Sequence, residues 1–164
     1  MAVRVMAVCG LKNSGKTTLI ASLVRELSSR GCRTAVIKHD GHDFACDVPG
    51  TDSSRFMEAG ACGTAVYSEN RLFVHRLGFS GDGRDLVPLF PGADVVLIEG
   101  MKDSALPKIE VVRRDIGDRT VSNPAGRVLI VTDYPPGTFE EKQASFEEIG
   151  RIADAVLGIP EGKF

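Results

Sequence analysis

The chain has 164 residues, of which 43% are hydrophobic and 26% are charged, and its 20 basic and 22 acidic side chains leave a net charge of −2. This length suits one domain with a core of its own, and proteins that bind duplex nucleic acid are usually far more basic. No apolar run is long enough to span a membrane. We therefore expect a globular protein that binds neither nucleic acid nor membrane.

The cysteines and the amino-terminal residues indicate a cytoplasmic protein. The four cysteines form no Cys-x-x-Cys pair, which favours reduced thiols over disulfides or a metal site. The first residues run directly into a strand and a loop, leaving no room for a signal peptide. The isolated cysteines are Cys9, Cys32, Cys46 and Cys62.

The first 40 residues alternate between strand and helix patterns. The valine-rich stretch from Ala2 to Cys9 predicts a strand buried on both faces. Apolar residues at helical spacing then predict a helix that ends at Gly31. The segment from Arg33 to Lys38 predicts a second strand, and a right-handed βαβ connection makes the two strands parallel. The apolar positions of the helix are Leu19, Ile20, Leu23, Val24 and Leu27.

A loop, a short helix and a hairpin are predicted next. Residues 39–50 have no periodic pattern, and Asp52 to Gly60 predict a short helix with Thr51 or its own first residue as the cap. The alternating stretch from Thr64 to Leu77 predicts an antiparallel hairpin that turns at residues 68–70.

The remainder of the chain predicts a short helix, three strands and a last helix. The short helix covers Arg84 to Phe90 and ends before a proline. The strands are the apolar segments DVVLIEG, PKIEVVR and RVLIVTD, of which the first is expected beside the amino-terminal strand. An amphipathic pattern near the carboxyl terminus predicts the last helix, with apolar positions Phe146, Ile149, Ile152, Ala153, Val156 and Leu157.

The loop between the first strand and the first helix carries the strongest motif. Residues 10–17 read GLKNSGKT and match G-x-x-x-x-G-K-[ST]. Glycines let the backbone approach phosphate oxygens closely, and the following helix adds the positive end of its dipole. In such loops the lysine reaches the β and γ phosphates, and the hydroxyl coordinates Mg²⁺. The motif predicts these roles for Lys16 and Thr17.

This motif and the alternating elements predict the fold class. We expect an α/β protein with a P-loop NTPase-like three-layer fold: a mostly parallel sheet with helices on both faces and an added antiparallel hairpin. Residues 1–164 are expected to form a single nucleotide-binding domain.

Two acidic residues are candidates for the magnesium shell. Glu99 ends the DVVLIEG strand, and Asp40 follows the second strand, so both are expected at the carboxyl edge of the sheet where α/β proteins bind ligands. His39 and His42 lie beside Asp40 and raise the alternative of a metal site. Because no paired cysteine is near them, a surface loop is the preferred interpretation.

The chain contains, in this order, the stretches GLKNSGKTTL, VIKHDGHDF, PGTDSSRFMEAGA and LIEGMKDSALPKIEVVR. Together they resemble the MobB family of molybdopterin-guanine dinucleotide biosynthesis adapter proteins, from Val3 to Arg113. The resemblance implies a GTP-binding protein of molybdenum cofactor biosynthesis with weak hydrolysis. Its expected partners are a second copy of itself, in an intertwined homodimer, and a guanylyltransferase (MobA-like) that attaches GMP to molybdopterin, itself a further candidate ligand.

The resemblance also assigns residues. Lys16, Asp40 and Glu99 are the candidate catalytic residues, and Thr17, Asp40 and Glu99 are the candidate Mg²⁺ ligands. A polar face on the short helix and two lysines further along are candidates for a second ligand. A solvated face is the preferred interpretation for the helix, and ordinary loop lysines are an equal alternative for the other two. The phosphate-loop residues are Gly10, Asn13, Ser14, Gly15, Lys16, Thr17 and Thr18, and the second-ligand candidates are Asp52, Ser53, Arg55, Lys102 and Lys108.

The base of the nucleotide is not determined by the motif. No Asn-Lys-x-Asp sequence follows the late strand, and Asp133 stands at that strand end instead. A carboxylate can accept from guanine N1–H and from its 2-amino group together, whereas a turn-forming aspartate before two prolines is the alternative. The resemblance favours GTP, while the residues alone leave ATP and GTP open.

Two other functional classes remain compatible with the sequence. A small-molecule P-loop kinase would need an arginine-rich lid, and Arg71, Arg76 and Arg84 surround a glycine-rich stretch. A metallochaperone GTPase would need a histidine-rich or paired-cysteine site, which the chain lacks. Enzymatic activity is uncertain and at most that of a weak Mg²⁺-dependent GTPase. No glutamine is placed to position water, because Gln143, the only one in the sequence, lies near the predicted last helix.

Overall fold

The structure of this chain is a computed structural model that describes residues 2–164, with nine strands, three α-helices and one 3-10 helix among them. The helices are α1 (Lys16–Ser29), α2 (Asp52–Glu58), the 3-10 helix (Gly83–Leu89) and α3 (Ile149–Leu157). The strands are β1 (Ala2–Gly10), β2 (Thr34–Lys38), β3 (Gly63–Tyr67), β4 (Leu72–Arg76), β5 (Val95–Glu99), β6 (Lys108–Val112), β7 (Arg127–Thr132), β8 (Gln143–Ala144) and β9 (Gly162–Lys163).

The main sheet has the order β2-β5-β1-β6-β7-β8, and these six strands are parallel to their neighbours. The short strand β9 adds an antiparallel pairing at the start of β1. β1 is central and nearly continuous in apolar residues, as expected for a parallel strand covered on both faces. The predicted α/β class with a mostly parallel sheet is confirmed.

Two hydrophobic clusters cover the two faces of this sheet. On one face, α1 and α3 pack against β1, β6 and β7 through their apolar stripes. On the other face, Val87 of the 3-10 helix packs with Val5 of β1 and Ile98 of β5. The predicted apolar positions of α1 are buried at Leu19, Ile20, Leu23 and Leu27, and Val24 is partly buried.

The end of α1 follows from Gly31, as the sequence predicted. Gly31 has a φ of 80°, and its N–H donates to the carbonyl of Ser28 while the N–H of Cys32 donates to that of Leu27. This pair of bonds is the Schellman arrangement, in which a left-handed glycine satisfies the last helical carbonyls. The chain therefore turns directly into β2.

The contacts divide the chain into two compact units, residues 1–39 with 82–164 and residues 40–81. The main sheet belongs to the first unit. The second contains α2, whose N-cap Thr51 accepts from the N–H of Ser54, and the antiparallel pair β3–β4. The predicted helix and hairpin of this segment are confirmed. That residues 1–164 act as one nucleotide-binding domain stays a prediction.

Three details of the predicted elements differ in the structure. The helix expected near residue 84 is a 3-10 helix, because Pro88 has no N–H to donate in an α-helical bond. The last helix begins at Ile149, so Phe146 lies before it, although it packs on the same core. The strands β8 and β9 were not predicted, since two residues are too few for a period.

Lys108 was a candidate for a second ligand, as one of two lysines that flank a proline-containing loop, and the structure does not support this role. It is the first residue of β6, pairs with Ala7 and is fully buried. Its ammonium group donates to three backbone carbonyls, those of Ser104, Asn123 and Ala125. Burial is the main cause that lowers the pKa of Lys108. The side chain therefore holds two loops together inside the first unit.

A second buried polar group fixes the segment between β6 and β7. Glu110 is fully buried and accepts from the backbone N–H groups of Val121 and Ser122 and from the Ser122 hydroxyl. Its Oε2 lies 3.0 Å from Nε of Arg127, whose side chain is 5% exposed and also contacts Glu141. Removing one partner of such a buried ion pair destabilises the fold strongly, because the other charge is left buried without a counter-charge.

We expect Arg127→Met to lower the free energy of unfolding by about 3 kcal/mol, because Glu110 would lose its buried counter-charge. Urea denaturation measures the change. Arg151→Met is the matched control, since Arg151 pairs with Glu148 at the same 3.0 Å but on the surface. If both variants unfold at the same urea concentration, the buried pair contributes no more than a surface pair.

Candidate functional site

The backbone of the phosphate loop takes conformations that only selected residues accept. Gly10 has a φ of 140°, Asn13 of 63° and Gly15 of 93°. A Cβ atom on Gly10 would lie 2.3 Å from the carbonyl oxygen of Val111, so the loop can pass β6 only without a side chain there. Gly10 is therefore required both for its positive φ and because there is no room for a side chain.

Gly15 is the N-cap of α1, and no side chain caps this helix end. The first N–H groups of an α-helix have no partner within the helix. Together with the helix dipole, such groups make the start of α1 suitable for an anion. Asn13, Thr17 and Thr18 are exposed around this surface, whereas Ser14 is buried beneath it.

Lys16 folds back across the loop. Its ammonium group donates to the carbonyl oxygens of Gly10 at 3.2 Å and Leu11 at 2.7 Å. The positive charge therefore lies over the same few residues whose backbone forms the loop. Its contact with phosphate stays a prediction.

Thr17 and Glu99 meet at the carboxyl edge of the sheet. Glu99 ends β5 and pairs with Val8 of β1, which confirms that the DVVLIEG strand lies beside the first strand. The Thr17 hydroxyl donates to Oε2 of Glu99 at 3.1 Å. A hydroxyl and a carboxylate oxygen are donors that Mg²⁺ accepts, so the pair fits the predicted role.

Asp40 directly follows His39, whose N–H donates to the backbone carbonyl of Glu99. It is the first residue of the second unit, and its role in a magnesium shell stays a prediction. In residues 2–164, no three or more His, Cys, Asp or Glu side chains are grouped in an arrangement suited to a metal ion. His39 instead packs near Gly100, where an added Cβ would contact its side chain.

Asp133 lies at the end of β7, as predicted, and two arginines contact it. Its Oδ1 accepts from the backbone N–H of Arg114 at 2.8 Å, and its Oδ2 lies 3.7 Å from Nη1 of Arg113. Thr132 and Tyr134, on either side of it, line a cavity of about 430 Å³. The bidentate contact with guanine stays a prediction.

Arg113 is a candidate site residue that sequence reasoning missed. Its guanidinium lies 3.5 Å from the position of a Cβ on Gly15 and 4.0 Å from the centre of the Phe146 ring. From the sequence, Arg113 was only the last residue of the predicted strand PKIEVVR. Its position one residue after β6, the neighbour of β1, is the signal that would have found it, because all parallel strands end at this edge.

The other predicted residues do not join this cluster in the described contacts. Ser53 is buried, with its hydroxyl 3.2 Å from that of Thr51, so it acts within α2. Asp52 and Arg55 are exposed on α2, and Lys102 is exposed after β5. A second ligand at any of these stays a prediction.

Cys9 is buried in β1, and its thiol donates to the carbonyl of Ile109 at 3.5 Å. Burial raises the pKa of Cys9 to about 11, so the group is a neutral thiol at physiological pH.

Among residues 2–164, no helix combines the length and apolar character that crossing a membrane would require.

The family profile described as "Molybdopterin guanine dinucleotide synthesis protein B" (MobB) matches residues 5–133 of this chain. The chain belongs to the MobB family. It is 30% identical to a molybdopterin-guanine dinucleotide biosynthesis adapter protein of Escherichia coli (strain K12), over 93% of this chain and 90% of that protein. It is 31% identical to the adapter protein of Haemophilus influenzae, over 92% of this chain and 86% of that protein.

Solved MobB structures have the same fold. A MobB homologue from Bacillus stearothermophilus superimposes with a TM-score of 0.72 at 25% identity, covering 94% of this chain and 99% of that one. Bacillus subtilis MobB superimposes with a TM-score of 0.73 at 25% identity, covering 98% and 99%. The resemblance inferred from four sequence stretches is therefore confirmed.

We expect Gly10→Ala to lower the free energy of unfolding by roughly 2–4 kcal/mol, because the new methyl group would overlap the Val111 carbonyl and force a left-handed conformation on alanine. Gly150→Ala is the control in the same unit, since its Cβ would meet nothing nearer than 3.4 Å. Urea denaturation compares them. Equal stability of the two variants would show that the loop shifts freely away from β6.

Proposed function

We propose that this MobB-family protein is a GTP-binding adapter of molybdopterin-guanine dinucleotide biosynthesis in the cytoplasm. The observation that carries the proposal is the phosphate loop of residues 10–17 between β1 and α1, with the Thr17 hydroxyl hydrogen-bonded to Glu99. The similar proteins of Escherichia coli and Haemophilus influenzae are adapter proteins of this biosynthesis. Its expected protein partner is a guanylyltransferase (MobA-like), and molybdopterin is a further candidate ligand.

The triphosphate binds at the start of α1. Backbone N–H groups at the uncapped helix end donate to phosphate oxygens. Lys16 exchanges its two carbonyl partners for β and γ phosphate oxygens, a change that trades two neutral acceptors for charged ones. Gly10 and Gly15 leave the backbone accessible because they present no side chain to the ligand.

Mg²⁺ is expected to accompany GTP, with Thr17, Glu99 and Asp40 as the residues that would hold it. The ion would supply positive charge at the β and γ phosphates. The Thr17 hydroxyl and the Glu99 carboxylate already lie within hydrogen-bond distance, so little rearrangement is needed to present two oxygens together.

Hydrolysis of GTP is proposed to be weak. Fast GTPases use a glutamine to orient the attacking water. In this chain the amide of Gln143 is engaged elsewhere: its Oε1 accepts from the N–H groups of Gly137 and Phe139, and its Nε2 donates to the carbonyl of Pro135. Gln143 therefore shapes the loop after β7 and does not position water.

Guanine is proposed to be read by Asp133. The phosphate loop follows β1 and Asp133 follows β7, two strands away along the same edge of the sheet. An aspartate at that position accepts from two guanine donors, whereas adenine presents neither donor on the same ring edge. Its present partners, Arg113 and the N–H of Arg114, leave the carboxylate half-exposed.

The protein is further proposed to be a homodimer that forms through the hairpin of the second unit. Ala65 and Val74 are paired across β3 and β4, as are Tyr67 and Leu72, so all four side chains share one face. Tyr67 is 82% exposed, Leu72 71% and Val74 58%. A two-stranded sheet with an uncovered apolar face is marginal in water, and a second copy of this face would cover it.

We expect Lys16→Ala to bind GTP at least a hundredfold more weakly than the parent, because the loop would lose its charged contact with the β and γ phosphates. Calorimetry with GTP and Mg²⁺ measures the affinity. Glu99→Gln should instead retain most of the affinity without magnesium and lose its enhancement by magnesium. Unchanged GTP affinity in Lys16→Ala would remove the basis of the proposal.

We expect the protein to have the mass of a dimer at micromolar concentration and Val74→Asp to be a monomer, because a carboxylate would be buried on the apolar face. Light scattering measures both masses. Leu89→Asp is the control, since Leu89 is 66% exposed on the 3-10 helix of the first unit. A monomeric parent, or a dimeric Val74→Asp variant, would contradict this interface.

A further inference from the structure

Arg113 lies between the two places that the proposed nucleotide must touch. On one side its Nη2 is 3.5 Å from the Cβ position of Gly15, the last glycine of the phosphate loop. On the other side its Nη1 is 3.7 Å from the carboxylate of Asp133. A nucleotide with its phosphates at the loop and its base edge at Asp133 would therefore extend past this guanidinium.

One face of the Arg113 guanidinium is covered by an aromatic ring. The Phe146 ring lies beneath it, 4.0 Å from Cζ of Arg113 to the ring centre, and the arginine side chain is 40% exposed. Phe146 is itself held because it packs against the main hydrophobic cluster. A planar cation that stacks on one ring can offer its other face to a second flat ring.

We infer that Arg113 is the platform on which the purine base stacks, with Phe146 as the support beneath it. The inference rests on the nucleotide binding proposed above and adds a residue to it. The ion pair with Asp133 does not oppose this role, since a half-exposed pair at 3.7 Å is weak. Asp133 can turn toward the base edge while Arg113 stays on Phe146.

This arrangement separates two properties of the site. Every purine offers a face for stacking, so Arg113 strengthens the binding of GTP and ATP alike. Only the edge of the base distinguishes guanine from adenine, so Asp133 sets the preference between them. Affinity and selectivity therefore depend on different residues, which competition binding can resolve.

The test uses Arg113→Lys, which keeps the positive charge and removes the planar group. Affinities for GTP, ATP and inorganic tripolyphosphate are measured by competition binding with the full chain and Mg²⁺. We expect GTP and ATP to bind about tenfold more weakly, with their ratio unchanged, and tripolyphosphate to bind as before. Phe146→Leu should act in the same direction to a smaller extent, and Asp133→Asn should change the GTP to ATP ratio.

Arg25→Lys is the matched control, because Arg25 is an exposed arginine on α1, and it should leave all three affinities unchanged. Unchanged GTP affinity in Arg113→Lys would overturn the inference while nucleotide binding stood. An equal loss for tripolyphosphate would overturn it in favour of a phosphate contact. A parent protein that binds no nucleotide would instead overturn the proposed function, and this inference with it.

Discussion

The parallel pairing of β1 with β5 and β6 is the constraint on which the site depends. The register places Val8 beside Glu99 on one side and Gly10 beside Val111 on the other. Both neighbouring strands are buried, and a slip of β6 by one position would move the buried Lys108 and Glu110 away from their partners. The phosphate loop therefore lies between a carboxylate at the end of β5 and an arginine just after β6.

Charges along this edge alternate in a way that suits a nucleotide with a metal ion. The positive groups, Lys16 and the start of α1, lie at the loop. Glu99 stands on one side, where it contacts the Thr17 hydroxyl, and Arg113 and Asp133 stand on the other. Away from this edge, the buried Lys108 and the Glu110–Arg127 pair fix the loops that follow β5 and β6. These buried polar groups therefore have a structural role.

Local patterns in the sequence were sufficient wherever one short stretch defines an element by itself. The apolar run of β1, the stripe of α1, the left-handed Gly31 and the alternation of β3 and β4 are of this kind. The helix near residue 84 is a 3-10 helix because Pro88 lies inside it and has no N–H to donate. The strands β8 and β9 were not predicted because two residues are too few to show a periodic pattern. Lys108 was misinterpreted as a candidate for a second ligand because the sequence does not show its neighbours in space, which are backbone carbonyls of two loops.

The sequence by itself determined the phosphate loop, the carboxylate at the end of β5 and the membership of the MobB family, because each is carried by contiguous residues whose chemistry is the same in any fold that accepts them. Tertiary structure alone decided which distant side chains face one another. Arg113 and Phe146 are separated by more than thirty positions, and their contact exists because β6 ends beside the loop and the segment before α3 places Phe146 next to that end. Such a contact depends on strand order and register, and these are set by burial over the whole sheet rather than by any local stretch.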